Sequence, residues 1–175
     1  MKNYFIALSL LFVYSTVTAQ TPTTKTILSA AYQQAKAENK NVLVIFHASW
    51  CGWCHKMDSS INNPLCKKYF TDNYIITHLT VYESKDKKHL ENAGADDLLK
   101  QYKAFDKGIP FWLVFDKNGN FLADGFMKND KGEESLIGCP ASEKEVAAFI
   151  EVLRKTSSLK EDELAVISGI FRKNE

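Results

Sequence analysis

Apolar residues follow two rhythms along this chain. Spacing of three and four predicts helices over Thr24–Asn39 (Ile27, Ala31, Ala35), Asp96–Phe105 (Leu98, Leu99, Tyr102, Phe105) and Lys160–Phe171 (Leu164, Ile167, Phe171). Ser142-Glu143-Lys144-Glu145 is a capping box that opens a further helix, with Val146, Phe149, Ile150 and Leu153 on its buried stripe. Elsewhere the apolar residues run together. Val42–Phe46 is continuous and rich in β-branched residues, which suits a central strand covered on both faces. Tyr74–Tyr82 and Phe111–Phe115 read as strands too, and Asp116–Asn120, around Asn118-Gly119, predicts a hairpin turn returning as strand Phe121–Phe126.

Polar punctuation fills in the rest. Asn63-Pro64 supplies a cap and a first helical residue for a second helical stretch after Cys51. Glu83–Asn92 reads as a loop or irregular helix whose charges are solvated, and Lys128–Glu134 as a polar loop. The resulting order, α, β, α, β, α, β, β, α, α, predicts one α/β domain with a parallel strand pair followed by an antiparallel hairpin.

The first residues belong to a different pattern. Lys2, an apolar run from Tyr4 to Val17 and then Val17-Thr18-Ala19 predict a secretory leader cleaved after Ala19, so residues 1–19 are a signal peptide and 20–175 the folded domain. The run falls short of the roughly 20 residues that a spanning helix needs, so no stable membrane insertion is expected after cleavage. The expected location is periplasmic or secreted. Lys+Arg number 22 and Asp+Glu 21, and Lys2 leaves with the leader. Without an excess of positive charge or a basic stripe, nucleic acid is excluded as the main partner.

Export changes what the four cysteines mean, because all lie beyond Ala19 and a thiol pair in an oxidising compartment is either a staple or a redox tool. Cys51-Gly52-Trp53-Cys54 follows a buried strand and opens a helix. That places Cys51 at the helix amino terminus, where unpaired N–H groups and the dipole favour a thiolate, with Cys54 one turn in. Cys51 is expected to be the exposed nucleophile and Cys54, behind it, to resolve the mixed disulfide. Trp50 and Trp53 flank the pair with apolar surface for a partner chain.

Val44-Ile45-Phe46-His47-Ala48-Ser49-Trp50-Cys51-Gly52-Trp53-Cys54, together with Lys107-Gly108-Ile109-Pro110-Phe111, resembles the thioredoxin superfamily over nearly the whole of residues 20–175. The Trp-Cys-x-x-Cys-x-Lys-Met run is most similar to secreted bacterial thioredoxin-like proteins, including isomerase-like and electron-relay members. The resemblance implies a thioredoxin fold with a central mixed sheet flanked by helices, here with an extra C-terminal helix. It also implies a cis Pro110 against the active site, and client binding by Trp50, Gly52, Trp53, Ile109 and Pro110. The implied activity is reduction, isomerisation or electron relay to disulfides of client proteins through Cys51 and Cys54, with a thiol-disulfide electron donor or acceptor as second partner and no cofactor.

Two departures stand out. Ile45 occupies the position of the family's buried Asp, leaving His47, His55 or His78 to move the proton, with His55 favoured because it abuts Cys54. Trp53 replaces the Pro of thioredoxin itself. Among rival readings, Cys51-Gly52-Trp53-Cys54-His55 also fits covalent haem attachment, but a buried strand before the motif and Gly-Ile-Pro after it argue against haem. No second Cys-x-x-Cys or His-x-x-x-His completes a metal site, so no metal is expected. The alternative from another class is a noncovalent client-binding module with a passive disulfide. Cys66 reads as a small buried apolar residue, and a Cys66–Cys139 staple stays open.

Overall fold

A computed structural model describes residues 20–129 and 131–175; the predicted leader, residues 1–19, lies outside them. The chain runs α1 (Thr24–Glu38), β1 (Asn41–His47), α2 (Gly52–Ile61), α3 (Lys67–Asn73), β2 (Tyr74–Thr80), α4 (Ala95–Gln101), β3 (Phe111–Phe115), β4 (Phe121–Asp124), β5 (Phe126–Lys128), β6 (Glu134–Leu136), α5 (Glu143–Thr156) and α6 (Glu161–Phe171). Short 3₁₀ turns occupy Lys85–Leu90 and Arg172–Asn174. This is the thioredoxin-like arrangement that the sequence predicts. A four-stranded mixed sheet in the order β2-β1-β3-β4 is flanked by helices, with β1 parallel to β2 and antiparallel to β3, and β3 antiparallel to β4.

Local chemistry sets the boundaries. Thr23 caps α1 by accepting the N–H of Thr26 on its hydroxyl, and Asn39 closes the helix at a left-handed φ of 53°, donating its N–H to Ala35. The Ser142–Glu145 capping box is present as read: Ser142 Oγ accepts Glu145 N–H at 3.3 Å, and the Glu145 carboxylate accepts Ser142 N–H at 2.9 Å. In the β3–β4 turn only Gly119 takes a positive φ, and the Asp116 carboxylate fixes the loop by accepting the N–H groups of Asn118 and Asn120.

Period-two alternation in the strands splits the core in two. Leu43, Ile45, Trp112 and Val114 point to one side, where Met57 of α2, Phe149 and Leu153 of α5, and Ile167 and Phe171 of α6 cover them. Val42, Val44, Phe46, Phe111, Leu113 and Phe115 point to the other, under Ala31 and Ala35 of α1 and Leu99 of α4. All of these side chains are buried, so β1 and β3 carry the continuous apolar runs of strands covered twice over.

Several expectations need correction. The helix read from Asn63-Pro64 starts at Lys67 instead, because Asn63 first closes a turn: its side chain accepts Leu65 N–H, and its carbonyl accepts the N–H groups of Cys66 and Lys67. The single return strand is two. Gly125 breaks it where Phe111 and Trp112 crowd the backbone, and β5 pairs with β6, a strand absent from the sequence reading, as a separate two-stranded sheet. The charges between Glu83 and Asn92 are not all solvated, since Glu83 is buried. Among the described residues, no helix is long and apolar enough to cross a membrane.

Candidate active site

β1 delivers the chain to Ala48, whose carbonyl accepts the N–H of Cys51 at 3.0 Å, turning the backbone into α2. Cys51 is the N-cap of that helix. Its Sγ accepts the N–H of Cys54 at 3.2 Å, a helix-terminal donor that the sulfur shares with the Cys51 carbonyl at 3.1 Å. Cys51 and Cys54 form a disulfide, S–S 2.06 Å. The expected difference in exposure is not what distinguishes the two: Cys51 is 3% and Cys54 1% exposed, because Ala48 and Ile109 pack over both. The asymmetry lies in the backbone, since only the sulfur of Cys51 sits at the helix end.

The Ile109–Pro110 peptide bond is cis, and the Ile109 carbonyl oxygen lies 3.7 Å from the Sγ of Cys51. Trp50 and Trp53, 60% and 52% exposed, stand on either side of the pair. Trp50 is oriented by its Nε1–H, which donates to the Tyr82 carbonyl at 2.8 Å. Trp53 lies over the Lys56 ammonium, 4.9 Å from its ring centre. Nothing lies within 4 Å of where a Cβ on Gly52 would sit, so the approach over that residue is open. Trp53, Ile109 and Pro110 line one groove together with Leu136–Cys139, Ala141 and Glu145. Thus Trp53, Ile109 and Pro110 are brought together as one surface, while Trp50 stands on its own beside Tyr82.

Polar support for this turn comes from a residue that the sequence reading passed over. Glu83 accepts the N–H of Ser49 at 2.6 Å and its hydroxyl at 2.8 Å. Burial pushes the Glu83 carboxyl up, but the two Ser49 hydrogen bonds, together with Lys87 and His47, hold its pKa below its ordinary value. The favoured proton carrier, His55, is exposed and engaged elsewhere: its Nε2 donates to the Ser49 carbonyl at 3.0 Å. His78 pairs with Asp58 at 2.8 Å and packs against His47, ring centres 5.0 Å apart. Burial, followed by the neighbouring His78, lowers the pKa of His47. Ile45 is fully buried in β1 beneath α2.

Cys66 and Cys139 are free and buried. The Cys66 thiol donates to the Ser60 carbonyl at 3.2 Å, and the Cys139 sulfur accepts from Asn174 Nδ2 at 3.5 Å. Among the described residues, no group of three or more His, Cys, Asp or Glu side chains is placed to hold a metal ion.

A thioredoxin-like family profile matches residues 23–117, which span the disulfide, the cis proline and β3. No curated protein sequence matches the chain. Among solved structures it is similar to a disulphide isomerase from Xylella fastidiosa Temecula1, with 22% identity over 67% of this chain and 80% of that one, TM-score 0.47. It is also similar to the C-terminal domain of DsbD from Neisseria meningitidis in its oxidised form (25% identity, 65% and 92% covered, TM-score 0.40). A third is a thioredoxin from Thermus thermophilus (18%, 72% and 80%, TM-score 0.40).

Proposed function

The chain belongs to the thioredoxin-like family, and from that premise we propose that it is an exported thiol-disulfide oxidoreductase acting on disulfides of client proteins. The observation that carries the reading is the place of Cys51: its sulfur caps α2 and receives the Cys54 N–H, beside the Ile109 carbonyl and between two exposed tryptophans. A helix N-terminus stabilises developing negative charge on sulfur, so Cys51 is the thiol whose thiolate forms first once the pair is reduced.

The cycle balances as follows. The Cys51 thiolate attacks one sulfur of the client disulfide, forming a mixed disulfide and releasing a client thiolate that takes up a proton. Cys54, deprotonated, attacks the Cys51 sulfur, which re-forms the Cys51–Cys54 bond and releases the second client sulfur as a thiol. The client gains two electrons and two protons, and an external dithiol donor returns them to the pair. Trp50, Gly52, Trp53, Ile109 and Pro110 form the surface that receives the client strand. His55, next to Cys54 in the chain, is proposed to help take the proton from Cys54, on the ring nitrogen that does not donate to Ser49. Residues 1–19 direct the chain out of the cytoplasm and are removed after Ala19; intact mass of the exported protein starting at Gln20 tests that part.

The deciding experiment is nonreducing electrophoresis of cysteine variants in the native host, with peptide mapping. Cys54→Ala accumulates mixed disulfides through Cys51, and Cys51→Ala gives neither adducts nor turnover. Equal trapping by both variants would refute the assigned roles. No trapping by either, with clients still retained, would move the protein to the noncovalent binding class.

A further inference from the structure

The groove beside the disulfide has two walls from distant parts of the chain. One is Trp53, in the first turn of α2; the other is the segment Cys139–Ala141, which precedes α5. Behind both walls, and 5% exposed, sits Asn174 in the 3₁₀ turn that follows α6. Its contacts divide between the walls. Toward α2, its backbone carbonyl accepts the Lys56 ammonium and its Oδ1 accepts the hydroxyl of Ser60 at 3.1 Å. Toward the opposite wall, its Nδ2 donates to the Pro140 carbonyl at 3.1 Å and to the Cys139 sulfur at 3.5 Å. One residue before this turn's midpoint, Arg172 adds a second tie by donating to the Ala141 carbonyl.

Lys56 makes this connection more than a staple. The ammonium that Asn174 holds is the same one that lies under the Trp53 ring. A cation on an indole face fixes the ring by the attraction of its quadrupole, and the strength depends on where the cation is held. An asparagine side chain offers both an acceptor and two donors, and here it spends them on different segments. Alanine at this position keeps the backbone carbonyl but loses the three side-chain bonds that help fix where that carbonyl lies.

We propose that Asn174 is a positioning residue that sets the width of the client groove, acting through Lys56 on Trp53 and through Pro140 on the facing wall. The inference rests on the reading of that groove as client-binding. It assigns no chemistry to Asn174; the loss expected on removing it is a loss of binding shared by ground state and transition state, which appears in KM and not in kcat.

The test uses insulin as the disulfide client and dithiothreitol as the electron donor. Asn174→Ala is expected to raise the KM for insulin about three- to tenfold, with kcat changed less than about twofold. Lys56→Met gives the same split and Lys56→Arg, which keeps a cation under the ring, restores most of it. The double variant Asn174→Ala/Lys56→Met is no worse than Asn174→Ala alone, because the route through Lys56 is already lost in that variant. Unchanged KM in both singles, or losses that multiply in the double, overturns the proposal. Should Asn174→Ala fail to fold, Ser60→Ala, which removes one of its bonds, stands in for it with the same split at smaller size. A second readout does not need turnover: with its ammonium over the Trp53 ring, Lys56 is expected to show upfield-shifted methylene protons in NMR, and Asn174→Ala is expected to collapse that shift. If the unmodified chain does not reduce insulin, it is the oxidoreductase reading that fails, and the Lys56 shift still decides the positioning role: its persistence in Asn174→Ala refutes it.

Discussion

Val42, Val44, Phe46, Phe111, Leu113 and Phe115 meet α1 and α4 on one face of the sheet; Leu43, Ile45, Trp112 and Val114 meet α2, α5 and α6 on the other. Both layers are buried and rich in aromatic residues, but their covers come from different places. The buried residues of the first all lie within the family-matched stretch 23–117, with Phe126 and Leu136 packed against its margin. The second needs α5 and α6, beyond that stretch, and it lies beneath the helix that carries the disulfide. Packing on the α1/α4 face therefore reaches the groove at its margin, through Ile109 and Leu136, whereas packing on the α2/α5/α6 face supports the helix that carries the disulfide.

The sharpest way to break this division is Phe149→Ala. Phe149 lies against Trp112, Phe70 and Phe171, ring centres 5.4, 6.3 and 5.0 Å apart, so its loss should cost about 3–5 kcal/mol by urea unfolding. Because Trp112 donates its Nε1–H to Gly138 on the groove wall, insulin reduction per folded molecule should fall as well. Leu99→Ala on the opposite face should cost about 2–4 kcal/mol and leave reduction per folded molecule as it was. If Leu99→Ala slows the folded protein as much as Phe149→Ala does, the two faces do not differ in the way argued.

Gly125→Ala comes next in size. A methyl there would stand 3.2 Å from Trp112 and 3.3 Å from Phe111, rings that belong to opposite faces, and the crowding should cost about 1–2 kcal/mol in the same unfolding assay. No loss would mean that both rings can yield.

The smallest effect concerns Glu83, which serves the site without belonging to either apolar layer. Its folded pKa is depressed, so its ionised form contributes stability above the unfolded carboxyl pKa, and that contribution disappears as pH falls through the folded value. Glu83→Gln should thus be less stable than the parent at pH 7, with the gap closing on acidification. A gap in melting temperature that stays constant into the acid range would exclude the Ser49 bonds as its source.

What was legible in the sequence had local causes. Ile27, Ala31 and Ala35 mark α1 by spacing alone, Ser142 and Glu145 need only each other, and Cys51-Gly52-Trp53-Cys54 after a β-branched run places the disulfide at a helix start. Gly125 could have been read as a break, since a lone glycine in a strand pattern signals one. Glu83 could not: it sits among Ser84, Lys85, Asp86 and Lys87, and its burial depends on Ser49, which folding alone brings to it. Asn174 is equally silent between Lys173 and Glu175, because its partners lie on α2 and beside Pro140. Polar residues that work across long separations carry no period by which to find them.

Cys66 and Cys139 bear on how the molecule would behave between encounters. Burial pushes both thiols up to about 11, so at neutral pH they stay in the unreactive thiol form. Neither can then open the Cys51–Cys54 bond at a useful rate, although both share its domain. The chain has four cysteines, but the proposed cycle exchanges a single pair of electrons, and an idle molecule is expected not to drift into shuffled isomers while it waits for its next collision.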